Sequence, residues 1–172
     1  NCWLEFIKKN TGNKPSSLID AKEKLSYFKY KNLKTKYRTT GYKRKIKPRK
    51  NSSFFLKELK KRGYKIAIVT ARDVTLSYED TYLWLKDNDL VYDRLVFDNK
   101  KHGKVFELLP FANFIVDDNS YICGMFAKFN IKSFLYNTPD NIDYQEGNKV
   151  KRVNNFEEIL TEIGVIENED TI

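Results

Sequence analysis

The sequence predicts an α/β fold: a Rossmann-like parallel sheet flanked by helices, with a small helical segment ahead of it. Three observations lead there. Lys-Ile-Ala-Ile-Val-Thr-Ala-Arg at 65–72 and Phe-Ile-Val-Asp-Asp-Asn at 114–119 contain short β-branched runs, too brief for helices and bounded by polar residues, as strands buried on both faces are. From residue 52 onward such runs alternate with segments of helical periodicity, the pattern of right-handed βαβ units. Polar residues also stand at the strand ends, Thr70 on one and Asp117 and Asp118 on another, and open parallel sheets bind ligands beyond the carboxyl ends of their strands.

In chain order, Trp3, Phe6 and Ile7 share one helical face over 3–9, and 10–15 read as a turn. A second helix follows Ser16 and Ser17, with Leu18, Ala21, Leu25 and Phe28 at helical spacing. Beyond Tyr30 the periodicity fails, and 31–50 read as a loop or an extended return segment. Ser52 or Ser53 caps a helix that buries Phe55, Leu56 and Leu59 and stops at Gly63. After a strand at 66–69, Ser77 with Asp80 three residues on starts a helix burying Tyr78, Tyr82 and Leu85. A strand at 94–97, a helix over 104–109 and a strand at 114–116 come next. Then Ile122, Phe126 and Phe129 mark a helix, 131–136 a strand, 137–148 a loop and 150–153 a last short strand. Asn155 and Glu158 cap a terminal helix holding Phe156, Ile159, Leu160 and Ile163.

The 172 residues fit one domain with a small added subdomain. No apolar run approaches the roughly 20 residues that cross a bilayer, so a soluble protein without a membrane partner is expected. Two distant cysteines, Cys2 and Cys123, make neither a disulfide framework nor a zinc site, which points to a reducing, cytoplasmic compartment. The net charge is +9, yet 29–50 alone carry eleven Lys or Arg and no Asp or Glu, leaving about −2 elsewhere. An anionic partner belongs on that segment. The chain starts at Asn1 and its one methionine is Met125, which reads as a fragment or a trimmed chain.

Adjacent carboxylates repel unless a cation compensates, so Asp117 and Asp118 suit a hard ion such as Mg2+. The plainer alternative is that Asp118 or Asn119 caps the next helix. Thr70 could equally cap a turn, and Lys104, at a helix start, could be a solvated lysine or neutralise a phosphate.

Together, Val-Thr-Ala-Arg at 69–72, Lys104 in His-Gly-Lys-Val and Val-Asp-Asp-Asn at 116–119 resemble the second, third and fourth motifs of the haloacid dehalogenase (HAD-like) superfamily of phosphotransferases. The resemblance covers about 52–134. Within the superfamily, Arg-Thr-Thr-Gly-Tyr-Lys-Arg at 38–44 and Tyr-Glu-Asp-Thr-Tyr-Leu-Trp-Leu at 78–85 are similar to the 5′-nucleotidase or polynucleotide-phosphatase type. It implies a Mg2+-dependent phosphatase that hydrolyses the phosphate monoester of a nucleotide or a nucleic-acid end through an aspartyl-phosphate. Thr70 and Lys104 would be the catalytic residues in this chain. Thr70, Ala71 and Arg72, with Arg38, Lys43 and Arg44, would contact substrate, and Asp117 and Asp118 would hold the metal. Residues 1–46 would be a helical cap with a basic return segment, 47–165 the α/β core lacking its first strand, and 166–172 a frayed tail. Trp3, Phe6 and Phe28 read as the cap's own core. His102, the one histidine, reads as a loop residue beside Lys104.

The superfamily's first motif, Asp-x-Asp-x-Thr, does not occur in these residues. By the resemblance it lies just ahead of Asn1, on a central strand, so the nucleophile is assigned to no residue here. A gap or abnormal pairing is therefore expected between 66–69 and 114–116. Two alternatives stand beside the phosphatase: a non-catalytic nucleic-acid-binding module using 29–50, and a phosphatase of small metabolites.

Overall fold

A computed structural model of the chain describes residues 2–98, 103–145, 147 and 149–165. His102 and the tail at 166–172 lie outside the described residues. The chain divides into two units, Asn1–Pro48 with Asp73–Asn88, and Arg49–Arg72 with Asp89–Ile172.

In the first unit, α1 (Cys2–Thr11) buries Phe6 and Ile7, as their spacing predicts. The Ser17 hydroxyl caps α2 (Leu18–Lys24) by accepting the Asp20 amide at 3.1 Å. The expected continuation through Phe28 does not form. Leu25 is extended and Ser26 caps a new helix, α3 (Tyr27–Thr39), so Phe28 points to water instead of into the core. The predicted loop is also corrected, since 31–39 are helical. Lysine is a good helix former, and Tyr30, Leu33 and Tyr37 recur at i, i+3 and i+7, a stripe wide enough to pack on α1 and α2. So narrow a stripe among so many lysines leaves little periodic signal. Gly41, at φ 66, then turns the chain into a 3-10 segment at Tyr42–Lys45.

The second unit opens with α4 (Ser52–Lys61), which buries Phe55 and Leu59. Its N-terminal boundary is Asn51, in the left-handed region at φ 61, instead of a serine cap. Strand β1 (Ala67–Thr70) follows. The chain then returns to the first unit as α5 (Val74–Asp87), capped by Asp73, whose carboxylate accepts the amides of Thr75 and Leu76. The expected Ser77 start is therefore one turn too late, and the buried face is Ser77, Thr81 and Leu85. Tyr78 and Tyr82 lie outside, stacked on each other. Within that unit the Trp84 indole donates to the Ile46 carbonyl at 2.6 Å and Arg44 pairs with Asp87 at 3.1 Å, fastening the 3-10 segment to α5.

The rest of the second unit is β2 (Arg94–Phe97), α6 (Gly103–Phe106), β3 (Phe114–Asp117), α7 (Ser120–Lys128), β4 (Lys132–Tyr136), β5 (Val150–Val153) and α8 (Phe156–Glu162). All pairings are parallel, but they form two sheets, β1–β2 and β3–β4–β5. Asp93 sets the start of β1, its carboxylate accepting the Ile66 amide at 2.7 Å and a bond from Lys60 at 2.6 Å. Lys60 first, then that amide, holds the Asp93 carboxyl below its usual range.

Alternation along the strands sends successive side chains to opposite layers. Ile66, Ile68, Phe114, Val116, Phe134 and Val153 join Phe55 and Leu59 of α4 and Ile159 and Leu160 of α8. Val69 and Ile115 join Val105 of α6 and Ile122 and Phe126 of α7. Those that are fully buried, Phe134, Val153, Ile159 and Leu160, stabilise by about 1.5–3 kcal/mol each. Thus β1 and β3 contribute to both layers, yet exchange no ladder of hydrogen bonds. The expected interruption between them is present. It also corrects the expectation that both runs are buried on two faces: Ala67 is exposed and the other residues of β1 and β3 are half-buried, whereas Ser133, Phe134 and Leu135 of β4, paired on both sides, are buried.

Candidate functional site

Thr70 ends β1, and its carbonyl accepts the Asp98 amide at 2.8 Å while its hydroxyl accepts the Arg72 amide at 3.3 Å. Ala71 is exposed and Arg72 half-buried in the turn that follows. Asp98, just past the end of β2, was not singled out from sequence. It is buried, 4% exposed, and one carboxylate oxygen accepts the Val105 amide at 2.9 Å. That bond fixes where α6 begins and so places the backbone of Lys104, whose side chain lies outside what the structure describes. The other oxygen of Asp98 has no hydrogen-bond partner among the described residues. The signal was in the sequence, an aspartate after an apolar strand, the same pattern that marks Thr70 and Asp117.

At the end of β3, Asp117 is half-buried and accepts the Asn119 amide at 2.8 Å, while Asp118 is exposed. Asn119 caps α7 by accepting the amides of Tyr121 and Ile122, so the helix needs neither aspartate as its cap. Asp118 meets Arg49 at 3.7 Å, and the Arg49 guanidinium lies 4.2 Å from the centre of the Tyr136 ring.

The backbone of Asp118 is held from below. Its carbonyl accepts the Asn141 amide at 2.8 Å, and the same amide group donates to the Tyr136 carbonyl at 2.9 Å. The Asn141 side-chain oxygen accepts Arg152 at 3.0 Å and the Thr138 amide at 3.1 Å. One buried asparagine thus ties the ends of β3 and β4 to a β5 arginine. The region from 137 to 148 reads from sequence as a bare loop, because a side chain satisfied by distant backbone leaves no periodic trace.

Cys123, fully buried under the same strand end, contacts the carbonyls of Asp117 and Phe134 through its sulfur at 3.7 Å each. Burial, with the Asp117 charge second, pushes its thiol up to about 12, so it is a packing residue and not a nucleophile.

Two neighbouring carboxylates fit the donor chemistry of Mg2+, which takes one or two protein carboxylates and fills its remaining positions with water and phosphate oxygens. Among the described residues no third His, Cys, Asp or Glu joins them.

Arg38, Lys43 and Arg44 belong to the first unit. Arg44 is engaged by Asp87, and Lys43 lies over the Tyr37 ring at 5.6 Å, so two of these three cations have partners in their own unit. No helix among the described residues is long and apolar enough to cross a membrane. No protein-family model matches this chain, and no curated protein matches it.

Proposed function

We propose that the second unit is the core of a Mg2+-dependent phosphatase of the haloacid dehalogenase type, acting on the phosphate monoester of a nucleotide or a nucleic-acid end. The observation that carries this reading is the placement of Thr70 and of Asp117 with Asp118 at the ends of the two strands that border the unpaired gap. Tyr64, just before β1, meets Phe114, the first residue of β3, ring to ring at 5.7 Å, so both strands start from the same edge. On this reading their polar ends, Thr70 on one and Asp117 with Asp118 on the other, serve one site.

On this reading a parallel strand ending in Asp-x-Asp completes the sheet between β1 and β3. Its first aspartate attacks phosphorus, and the ester bond breaks as the second aspartate gives its proton to the leaving oxygen. Water, deprotonated by that second aspartate, then cleaves the acyl phosphate and frees inorganic phosphate. The Thr70 hydroxyl donates to the transferring phosphoryl group, and Lys104 balances its charge as it develops. Asp117 and Asp118 would hold Mg2+, which when bound offsets the negative charge of phosphate and carboxylate.

The test is to place an extended segment ending in Asp-x-Asp ahead of Asn1 and to measure phosphate release from a mononucleotide and a 5′-phosphorylated oligonucleotide. Release that needs Mg2+ and falls by about a hundredfold or more in Thr70→Ala is expected. Absence of release from a segment that does protect the β1 and β3 amides would overturn the reading, as would an ordinary enzymatic rate from the 172 residues alone.

A further inference from the structure

We propose that the solvent face of α3 is a binding site for single-stranded nucleic acid. The helix carries five cations, Lys29, Lys31, Lys34, Lys36 and Arg38, and no acid. Among the described residues none of the five is in an ion pair. With Tyr30, Leu33 and Tyr37 turned inward, helical spacing sorts the remaining residues into three ridges. Tyr27, Lys31, Lys34 and Arg38 form one flank, and Lys29 and Lys36 the other. Between them runs an uncharged ridge of Phe28, Asn32, Thr35 and Thr39. A polyanion without planar groups needs only the flanks; the ridge between them suits bases.

The aromatic residues give the second observation. Phe28 is 76% exposed and Tyr27 is 70% exposed, their rings 5.8 Å apart, and Lys31 lies 5.6 Å from the centre of the Tyr27 ring. Neither ring belongs to the apolar cluster that Ile7, Ala21 and Leu25 form beneath the helix. Beside Phe28 an open depression of about 470 Å³ is lined by Asn10, Thr11, Ser26, Lys29, Asn32 and Lys36. Asn10 is already bonded, to the Phe6 carbonyl at 2.9 Å and to Lys36 at 3.0 Å, which leaves Asn32 as the amide that meets a base edge. A base stacks on Phe28 and its neighbour on Tyr27, and the strand's phosphates meet Lys31 and Lys34 on one flank and Lys29 on the other. Stacking on exposed rings beside a cationic track is how single strands are held with little sequence preference. A duplex hides its base faces and could use only the lysines.

This extends the substrate half of the phosphatase reading, but binding is read without turnover, so either can fail alone. The experiment is fluorescence anisotropy of the 172-residue protein with a short labelled DNA single strand, titrated with salt and competed with inorganic polyphosphate, with the matching duplex and with anionic lipid vesicles. Tyr27→Ala with Phe28→Ala is expected to weaken single-strand binding about tenfold or more, and Phe28→Trp to retain it. Both rings are exposed, so the melting temperature should not move. Replacing Lys29, Lys31 and Lys34 by Gln is expected to flatten the dependence of log Kd on log salt by about 2. The proposal is overturned by an absence of binding at low salt or by equal affinity after both aromatic substitutions. Preference for the duplex, or displacement by polyphosphate or vesicles as effective as by unlabelled single strand, would overturn it too.

Discussion

Asp118 has one cation beside it already. Arg49 lies 3.7 Å away, half-exposed and stacked on Tyr136, so the repulsion between Asp117 and Asp118 is relieved in part from within the chain. A divalent ion held by the two carboxylates has to compete with that guanidinium, because a second positive charge a few ångströms from a metal opposes it. Isothermal calorimetry of Mg2+ binding is therefore expected to show opposite effects from two single changes. Asp118→Asn should weaken the affinity about tenfold, and Arg49→Gln should strengthen it severalfold. Equal affinity in wild type and Asp118→Asn would remove the metal assignment. Asn141 is the other residue that matters at this scale, since it fixes the Asp118 backbone whether or not a ligand is present.

Between elements, α8 is fastened to the sheet by Glu162, which accepts from Lys132 of β4 at 2.5 Å and from Lys151 of β5. Those two ammonium groups, Lys132 first, hold its carboxyl at about 2 against an ordinary 4.5. In the unfolded chain the same group takes up its proton at the higher pH, so folding becomes less favourable as acid is added. The contribution is complete above about 4.5 and is lost as the pH falls through about 2. Urea midpoints measured against pH should separate wild type from Glu162→Gln near neutrality and converge towards pH 2; a separation that stays constant would show that the pairs contribute nothing. Elements also differ in how they could be read. α1, α4 and α8 announce themselves by wide apolar faces, while α3 hides behind lysines and α5 buries Ser77 and Thr81 in place of its tyrosines. Periodicity of hydrophobic residues cannot see a buried face made of small polar ones.

At the scale of the whole chain, β1 and β3 each pair on one side only, and β4 on both. Backbone amides without a partner exchange with solvent fast, and paired ones only when the structure opens. Hydrogen exchange is expected to protect the paired amides of β4 most and to leave fast-exchanging amides in both β1 and β3, on the edges that border the gap. Uniform protection across all three strands would mean that the two sheets are one. The alternation of strand and helix, the positions of β2 and β5, and the residues at the strand ends were all determined by the sequence. They depend on local preference and on which side chains must leave water, and both are written in neighbouring residues. The pairing of strands, the return of α5 to the first unit and the Asn141 network were decided by tertiary structure alone. Each of these depends on backbone groups far apart in the chain finding partners, and a hydrogen bond between distant residues leaves no mark on the residues next to it.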